Sequence, residues 1–285
     1  MPKEKNQMST LSKKSTVIVD LYNSPKWKPK IMKIFEILQY VKIQESDIIE
    51  IIEKYKKDKS NTDSKIMNSL LKLNFIPENL YNENVDISRG FGKWKRIKTH
   101  LTKPIGSILD MGGNIGTTAM VIGRKILKLT KEKTFVVDID EWAGEKWTPR
   151  NDITFVHYDF MEKIPDKSID LITIFHTLHH ISTKEYPNIL RQVHRILSHD
   201  GCIVLYEHNC ACKDWAGLID IEHALYDVIV SKKILYNKFA QTNHYAKYYS
   251  INKWKLLFEN AGFKEYFTEE LNNKDNSFYI YFRKC

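Results

Sequence analysis

The sequence predicts an α/β fold in which a mostly parallel, seven-stranded sheet carries helices on both faces and follows a layer of helices. Short apolar runs alternate with helical segments after residue 104, a pattern typical of β-α-β units. Before residue 104 the apolar residues recur at helical spacing instead. With 285 residues, 42% of them apolar and 28% charged, the chain can form one core with an appendage, which excludes a wholly disordered protein.

The composition also bears on the cellular location, the metal content and the partners of the protein. The four cysteines form no C-x-x-C pair and are too few for a disulfide scaffold, so we expect a reducing, cytoplasmic location. No apolar run approaches the roughly 18–20 residues of a membrane span, and no signal-peptide core is visible, so we expect no membrane contact. The pairs Glu207-His208 and Glu222-His223, near Cys210 and Cys212, match no zinc spacing, and no metal is predicted. The formal charge of +9 favours an acidic partner such as nucleic acid without identifying one.

The first third of the chain is predicted to be helical. Residues 1–30 are polar and lysine-rich and are expected to form a flexible basic arm, while residues 31–104 form a helical leader that ends in a basic segment. Three helices are expected in the leader. The first has its apolar stripe at Ile34, Phe35, Leu38 and Val41, the second has Ser46 as N-cap, and the third is capped by Thr62 or Asp63.

The region 105–285 is predicted to hold the sheet. A segment of 208–262 interrupts the alternation after the fifth strand, with one helix near 214–233 and another that Ser250 opens and Gly262 closes. The last two strands are expected to be an antiparallel pair. The seven predicted strands are 107–111, 134–139, 153–158, 169–175, 202–207, 263–268 and 277–283.

A glycine-rich loop follows the first predicted strand. That strand ends in Asp110, and the sequence MGGNIG then supplies Gly112, Gly113 and Gly116 before a helical run. Glycines let a backbone approach a ligand closely, and the start of a helix offers free N–H donors. A dinucleotide fold would usually place its acid about 20 residues after the glycines, whereas here an acid precedes them.

Acidic residues lie at three successive predicted strand ends, and in this the sequence resembles the class I S-adenosylmethionine-dependent methyltransferases, a Rossmann-like family. The resemblance covers about residues 105–207 and the AGF triplet at 261–263, with Asn114 in place of a middle glycine. It implies that Asp110 and the loop hold the methionine end, Asp138 (or Asp140) binds the ribose, and Asp159 with Phe160 binds the adenine. The implied S-adenosylmethionine-binding set is Asp110, Gly112, Gly113, Asn114, Gly116, Asp138, Asp140, Asp159, Phe160 and Phe175.

The sequence IFHTLHHIS after the fourth strand bears on the acceptor. No N/D-P-P-Y box, Pro-Cys dipeptide or Lys-Asp-Lys-Glu set is found, which leaves an acceptor atom that is already nucleophilic and a mechanism of alignment without a catalytic acid or base. FHTLHH is similar to the F-x-L-H-Y region of mRNA cap guanine-N7 methyltransferases. Small-molecule methyltransferases also carry L-H-H here, and a non-catalytic RNA- or partner-binding module is a further alternative.

The basic sequence RGFGKWKRIKTHL resembles a segment of cap methyltransferases, and the whole chain resembles the C-terminal methyltransferase domains of viral capping enzymes. That resemblance implies capped RNA as partner, further domains of a larger capping polypeptide, a monomeric domain, and a location in the host cytoplasm or virion. The expected substrate-binding residues are Lys98, His176, His179, His180, Glu207, Tyr279 and Tyr281, with the Glu207 carboxylate facing guanine. The expected RNA track is Lys93, Lys95, Arg96 and Lys103.

Overall fold

The computed structural model describes residues 16–36, 43–58, 62–73, 83–138, 151–231, 246–271 and 276–285. These residues belong to two compact units. The helical unit lies within Met1–Tyr81, Cys210–Tyr248 and Asn272–Asn276, and the sheet unit within Asn82–Asn209, Tyr249–Leu271 and Ser277–Cys285. Among the described residues, no helix combines the length and apolar composition that crossing a bilayer requires.

The two units are built from the following elements. The helices are α1 Val17–Asn23, α2 Lys28–Phe35, α3 Glu45–Tyr55, α4 Thr62–Lys72, α5 Glu83–Ile97, α6 Thr117–Ala119, α7 Tyr186–Ile196, α8 Lys213–Ser231 and α9 Ile251–Asn260. The strands are β1 Ile108–Met111, β2 Thr134–Asp138, β3 Thr154–His157, β4 Ile169–Phe175, β5 Leu197–His208, β6 Phe263–Glu270 and β7 Ser277–Lys284.

The prediction of seven strands is confirmed. The sheet has the order β3-β2-β1-β4-β5-β7-β6, and its first five strands are parallel. β7 pairs antiparallel with both β5 and β6, as expected for the last two runs. β5 begins at Leu197 rather than at 202, because the polar residues that precede Cys202 continue the strand. In such an open sheet, ligands bind at the carboxyl ends of the parallel strands.

The predicted flexible arm is wrong for its described part. Residues 17–23 and 28–35 form α1 and α2, and Ile18, Leu21 and Trp27 are buried in the core of the helical unit. The short apolar run VIVDLY was too brief to stand out among lysines. The second helix is capped by Gln44 rather than Ser46. Leu38 and Val41, expected in the first apolar stripe, lie outside the described residues.

The domain boundaries also differ from those expected. α8 belongs to the helical unit, where Leu218 and Leu225 share a core with α1 and α2. The predicted insertion 208–262 is therefore divided between the two units, whereas it was expected to belong to the sheet region as a whole. α5, by contrast, belongs to the sheet unit, because Ile97 packs with Ile108 of β1 and Leu171 of β4. The position of a helix in the chain does not show which unit it joins, because helices pack their apolar faces against elements that can be distant in the sequence.

Asp63 of α4 gives the helical unit a pH-dependent stability. Its carboxylate is buried and accepts the N–H groups of Val17 and Ile18, each at 2.8 Å. Burial raises the pKa of Asp63 from 3.8 to about 6, although those two N–H groups oppose the shift. The folded chain therefore binds more protons than the unfolded chain between these pH values, so this group's contribution to the free energy of unfolding falls as the pH rises.

We expect Asp63→Asn to flatten that dependence, because asparagine does not titrate. The wild-type free energy of unfolding should fall between pH 4 and 6 by an amount on the order of 2 kcal/mol more than that of the variant. Urea titrations at several pH values measure both slopes. Equal slopes in wild type and variant would contradict the assignment.

Candidate cofactor and acceptor site

The loop after β1 has an unusual backbone. Gly112, Asn114 and Gly116 all have positive φ, at 69°, 51° and 79°. Asparagine visits this region more readily than most residues, which explains how Asn114 replaces a glycine there. The Gly112 N–H donates to the Val137 carbonyl at 2.7 Å, so the loop is joined to the end of β2.

The glycines of this loop are packed closely by their neighbours. A Cβ on Gly112 would lie 2.2 Å from the Thr177 hydroxyl oxygen, and one on Gly116 would lie 2.0 Å from Ile153. Thr177 is itself fixed, because its hydroxyl donates to the carbonyls of Met111 and Phe175. A side chain at Gly112 or Gly116 would therefore displace the loop from the strand ends.

Asp110, at the end of β1, packs against the glycine-rich loop. Its carboxylate is buried, and Oδ1 accepts the Thr173 hydroxyl at 2.6 Å. A Cβ on Gly113 would come within 2.6 Å of Oδ2, which shows how closely the loop covers the acid. Burial raises the pKa of Asp110 to about 6, and the charge of Lys93 opposes that shift. Asp110 thus shapes the loop rather than offering a solvent-facing carboxylate.

Asp138 ends β2 and contacts the same loop. Its Oδ2 accepts the Asn114 N–H at 2.6 Å, so the second acid helps to hold the left-handed turn. The ribose-binding function of Asp138 stays a prediction. Asp140, the alternative for that function, lies outside the described residues.

Asp159 and Phe160 lie in a 3-10 turn, Tyr158–Lys163, that follows β3. The Asp159 N–H donates to His157 Nδ1 at 3.3 Å, and the Asp159 side chain is 72% exposed. The Phe160 ring is 47% exposed, and the Lys163 ammonium lies 4.0 Å from its centroid. An exposed aromatic ring beside an exposed acid is compatible with adenine binding, which stays a prediction.

Lys93, which the sequence analysis placed in the RNA track, is also a candidate for the cofactor site. α5 places its ammonium 4.6 Å from the centre of the Phe175 ring, and its charge acts on Asp110. Lys93 therefore lies near Phe175 and Asp110, and its function in an RNA track stays a prediction. The sequence did not indicate this location, because Lys93 differs from the other lysines of its cluster only through the way α5 packs.

Two of the other cations of the predicted RNA track form ion pairs. Arg96 forms an ion pair with Glu269 of β6, and Lys103 forms one with Asp200. Lys95 and Lys98 are exposed. The four cations of the predicted track thus have different surroundings, and RNA binding stays a prediction.

A buried acid-imidazole pair links β5 to the turn after β4. His179 lies in a 3-10 turn, Leu178–His180, and its Nδ1 is 2.6 Å from Glu207 Oε2. The His179 N–H also donates to Glu207 Oε1 at 3.4 Å. Both side chains are almost fully buried, and burial raises the pKa of Glu207 to about 7. Glu207 was expected to face guanine, but its carboxylate is directed at His179 instead.

Four rings form a stack beside this pair. Tyr279 of β7 stacks on Tyr206 at 4.4 Å, Tyr206 on His176 at 4.1 Å, and His176 on His208 at 4.2 Å between ring centroids. Ser277 joins two of them, because its Oγ is 3.2 Å from His176 Nε2 and 3.4 Å from His208 Nδ1. The alternation of side chains in β5 could have indicated Tyr206 and His208, but the sequence gave no sign of Ser277.

Tyr279 and Tyr281, of which one was expected to close the substrate pocket, are both buried. Tyr279 is 4% exposed within the stack, and Tyr281 is fully buried against Phe267 and Tyr266. Burial raises the pKa of both hydroxyls. Neither side chain presents a surface to solvent, so neither is placed to close a pocket in this conformation. His180, also expected to contact substrate, is half-buried with its ring 4.0 Å from that of His179.

The described residues fit S-adenosylmethionine. The loop at Gly112 and Gly116 has no room for side chains, as a backbone that closely approaches a ligand requires. Lys93, whose charge acts on Asp110, is a candidate for the methionine carboxylate, while Asp138 and the exposed Phe160 are candidates for the ribose and the adenine. A polar, charged end and an aromatic end match the two halves of that molecule.

Comparison with known proteins agrees with this geometry. The sequence profile of a family described as "Methyltransferase domain" matches residues 81–266, about two thirds of the chain. A curated relative, isoflavone-7-O-methyltransferase 8 of Medicago sativa, is 27% identical over 169 residues. The match covers 56% of this chain and only 42% of that protein.

Solved methyltransferase structures are also similar to this chain. A SAM-dependent methyltransferase from Archaeoglobus fulgidus has a TM-score of 0.49 at 16% identity, over 71% of this chain and 95% of that one. The 1,6-didemethyltoxoflavin-N1-methyltransferase of Burkholderia thailandensis, with bound S-adenosylhomocysteine, has a TM-score of 0.45 at 15% identity, over 73% and 81%.

Proposed function

The chain belongs to the methyltransferase-domain family, with S-adenosylmethionine as methyl donor, and from this premise we propose that it methylates a hydroxyl oxygen of a small molecule. One observation carries the proposal. The buried pair of Glu207 and His179, 2.6 Å apart, lies at the carboxyl ends of β5 and β4, in the part of an open sheet where acceptors bind.

A hydroxyl acceptor explains why such a pair would be present. Phenolic hydroxyls have a pKa of about 10, so little of the nucleophilic phenolate exists at neutral pH. A positioned imidazole that removes the proton typically contributes about 10²–10⁴-fold to the rate, and a carboxylate fixes the orientation of the imidazole. Burying an acid and an imidazole costs desolvation free energy, so the pair is weak evidence for stability and better evidence for a chemical function.

Different residues of this chain position the cofactor and the acceptor side of the site. When bound, S-adenosylmethionine supplies a methyl group on a sulfonium centre. Asp110 and Asp138 hold the loop in its left-handed conformation, and Lys93 orients the charged end of the cofactor. Glu207 fixes His179, whose turn lies next to Thr177 and hence next to the loop. Alignment and a local base together account for transfer to oxygen.

The curated relative supports the same acceptor class. Its name assigns it methylation of an isoflavone 7-hydroxyl, which is a phenolic oxygen. At 27% identity over 42% of that protein, the relative supports an oxygen acceptor and not the isoflavone itself.

Transfer to guanine N7 of an mRNA cap is a second candidate. The exposed side chains of Lys95 and Lys98 on the basic segment favour it, because they can contact phosphates. Guanine N7 has a free lone pair and needs no base, so the candidate leaves the Glu207–His179 pair without a chemical function. The relationship to viral capping enzymes, and with it capped RNA as partner, remains part of this second candidate.

A panel of acceptors separates the two candidates. The full chain is incubated with methyl-labelled S-adenosylmethionine and, in parallel, with 7-hydroxyisoflavone, simple phenols, capped RNA and uncapped RNA. We expect transfer to at least one phenol and none that depends on the cap. Cap-dependent transfer with no turnover of any phenol would overturn the proposal in favour of the second candidate.

A further inference from the structure

We propose that a groove between α7 and α9 of the sheet unit binds a small amphipathic anion, which has an apolar or aromatic body and a carboxylate group. The groove has a volume of about 520 Å³, within the range of about 300–1,000 Å³ that is typical of small-molecule sites. Residues of both helices line it. This inference is independent of the acceptor class proposed above.

The groove is separate from the cofactor and acceptor site. Leu190 of α7 and Trp254 of α9 share a core with Leu109 of β1, whereas Ile122, which follows the cofactor loop, packs with Ile108. Neighbouring residues of a strand point to opposite faces of a sheet, so the groove and the helix after the loop lie on opposite faces. Of the described residues that line the groove, none belongs to the cofactor loop or to the buried acid-imidazole pair. A ligand in the groove would therefore be distinct from the methyl acceptor.

The floor of the groove is apolar and is held in place by its own contacts. Tyr186 is 4% exposed, and its hydroxyl donates to the Leu178 carbonyl at 2.8 Å. The centroid of its ring lies 6.4 Å from that of Tyr249, which also lines the groove. Leu190 and Leu257 continue the apolar surface along the two helices. Because this floor is already packed in the folded chain, little ordering entropy opposes the binding of an apolar molecule.

Two cations lie at the edge of this apolar surface. Arg191 of α7 and Lys253 of α9 both line the groove and are exposed, and neither forms an ion pair with another described residue. Arg191 donates to the neutral side-chain amide of Asn188 at 2.7 Å, which leaves its charge uncompensated. Burial lowers the pKa of His194, so this third basic group of the lining is largely uncharged at pH 7.5. The described lining contains no acidic side chain, so the groove favours a ligand with a negative charge.

A buried hydrogen-bond donor lies beside the same floor. Trp254 is 1% exposed, and the centroid of its ring is 5.9 Å from that of Tyr186 and 5.2 Å from that of Tyr249. Its indole N–H makes no hydrogen bond to any described residue. Buried donors nearly always have an acceptor, so an unmatched one indicates a partner that is not part of the described chain. An oxygen atom of a ligand between these rings would supply that acceptor.

Calorimetry with a matched pair of ligands tests the proposal. 4-Biphenylcarboxylate has an apolar body and an acid group, whereas biphenyl-4-carboxamide has nearly the same shape without the charge. The full chain is first saturated with S-adenosylhomocysteine, so that the cofactor site is filled. We expect the carboxylate to bind at one site per chain, about tenfold or more tightly than the carboxamide, because the two cations attract only the charged group.

Two double variants locate the site on the surface. Arg191→Gln together with Lys253→Gln should weaken binding of the carboxylate by about tenfold or more, and binding of the carboxamide by less than about threefold. Lys125→Gln together with Lys264→Gln removes two exposed cations elsewhere in the sheet unit and is the matched control. We expect the control to bind both ligands as the wild type does.

A third variant adds a charge to the groove instead of removing one. Asn260 lines the groove and is exposed, so Asn260→Glu should leave the core intact, weaken binding of the carboxylate and spare the carboxamide. Three results would rule out the site: no binding of the carboxylate, equal affinity of the wild type for both ligands, or a loss in the Lys125 and Lys264 control as large as in the Arg191 and Lys253 variant. The last result would show that the anion binds to positive charge anywhere on the surface.

Discussion

Replacing Glu207 with alanine should lower the free energy of unfolding by about 3–5 kcal/mol, because it leaves His179 buried without its carboxylate. The two side chains are 1% and 0% exposed, so water cannot take the place of the lost partner without opening the core. Glu207→Gln should cost less, because the amide oxygen can still accept a hydrogen bond from the imidazole. Urea unfolding of the full chain measures both losses.

Glu162→Ala is the control for this prediction, since Glu162 is an exposed acid elsewhere in the sheet unit. It should change the free energy of unfolding by less than about 0.5 kcal/mol. If Glu207→Ala destabilised the chain no more than Glu162→Ala, the buried pair would not be an energetic unit. The positioning function of Glu207 would then have no basis.

Replacing Asp110 with alanine should weaken binding of S-adenosylmethionine by about 100-fold or more, which corresponds to about 3 kcal/mol. The carboxylate accepts the Thr173 hydroxyl at 2.6 Å and lies close to Gly113. Its removal leaves the buried Thr173 hydroxyl with only the long, 3.5 Å hydrogen bond to the Leu109 carbonyl, and it leaves the loop unsupported. It also removes the negative charge that acts on Lys93.

Calorimetry with S-adenosylmethionine measures this loss. Asp166→Ala is the matched control, because Asp166 is an exposed acid paired with Arg195 and does not contact the loop. The control should bind with unchanged affinity. Unchanged affinity in Asp110→Ala as well would remove Asp110 from the cofactor site.

The sheet was predictable from the sequence because its strands are short, apolar and well separated. A strand such as β4, IDLITIF, is buried along most of its length and reads as a continuous apolar run. The glycine loop was predictable for a related reason, since Gly112 and Gly116 need the left-handed backbone that they adopt.

The functional side chains could not be placed in the same way. Lys93 and Arg96 are three residues apart on α5, yet one lies over Phe175 and the other pairs with Glu269. Glu207 was expected to face a substrate because it ends a strand, but its partner His179 is 28 residues away in the chain. Contacts of that kind depend on which elements pack together, and a single sequence does not record them.

The position of the transferred methyl group tests the central proposal most directly. The full chain is given ¹³C-methyl-labelled S-adenosylmethionine together with equal concentrations of 7-hydroxyisoflavone, 4-methylphenol and the cap analogue GpppG, and the products are examined by NMR. We predict that the label appears in a methyl ether of a phenol. Label on guanine N7, with none on phenolic oxygen, would contradict the account and make cap methylation the function of this site.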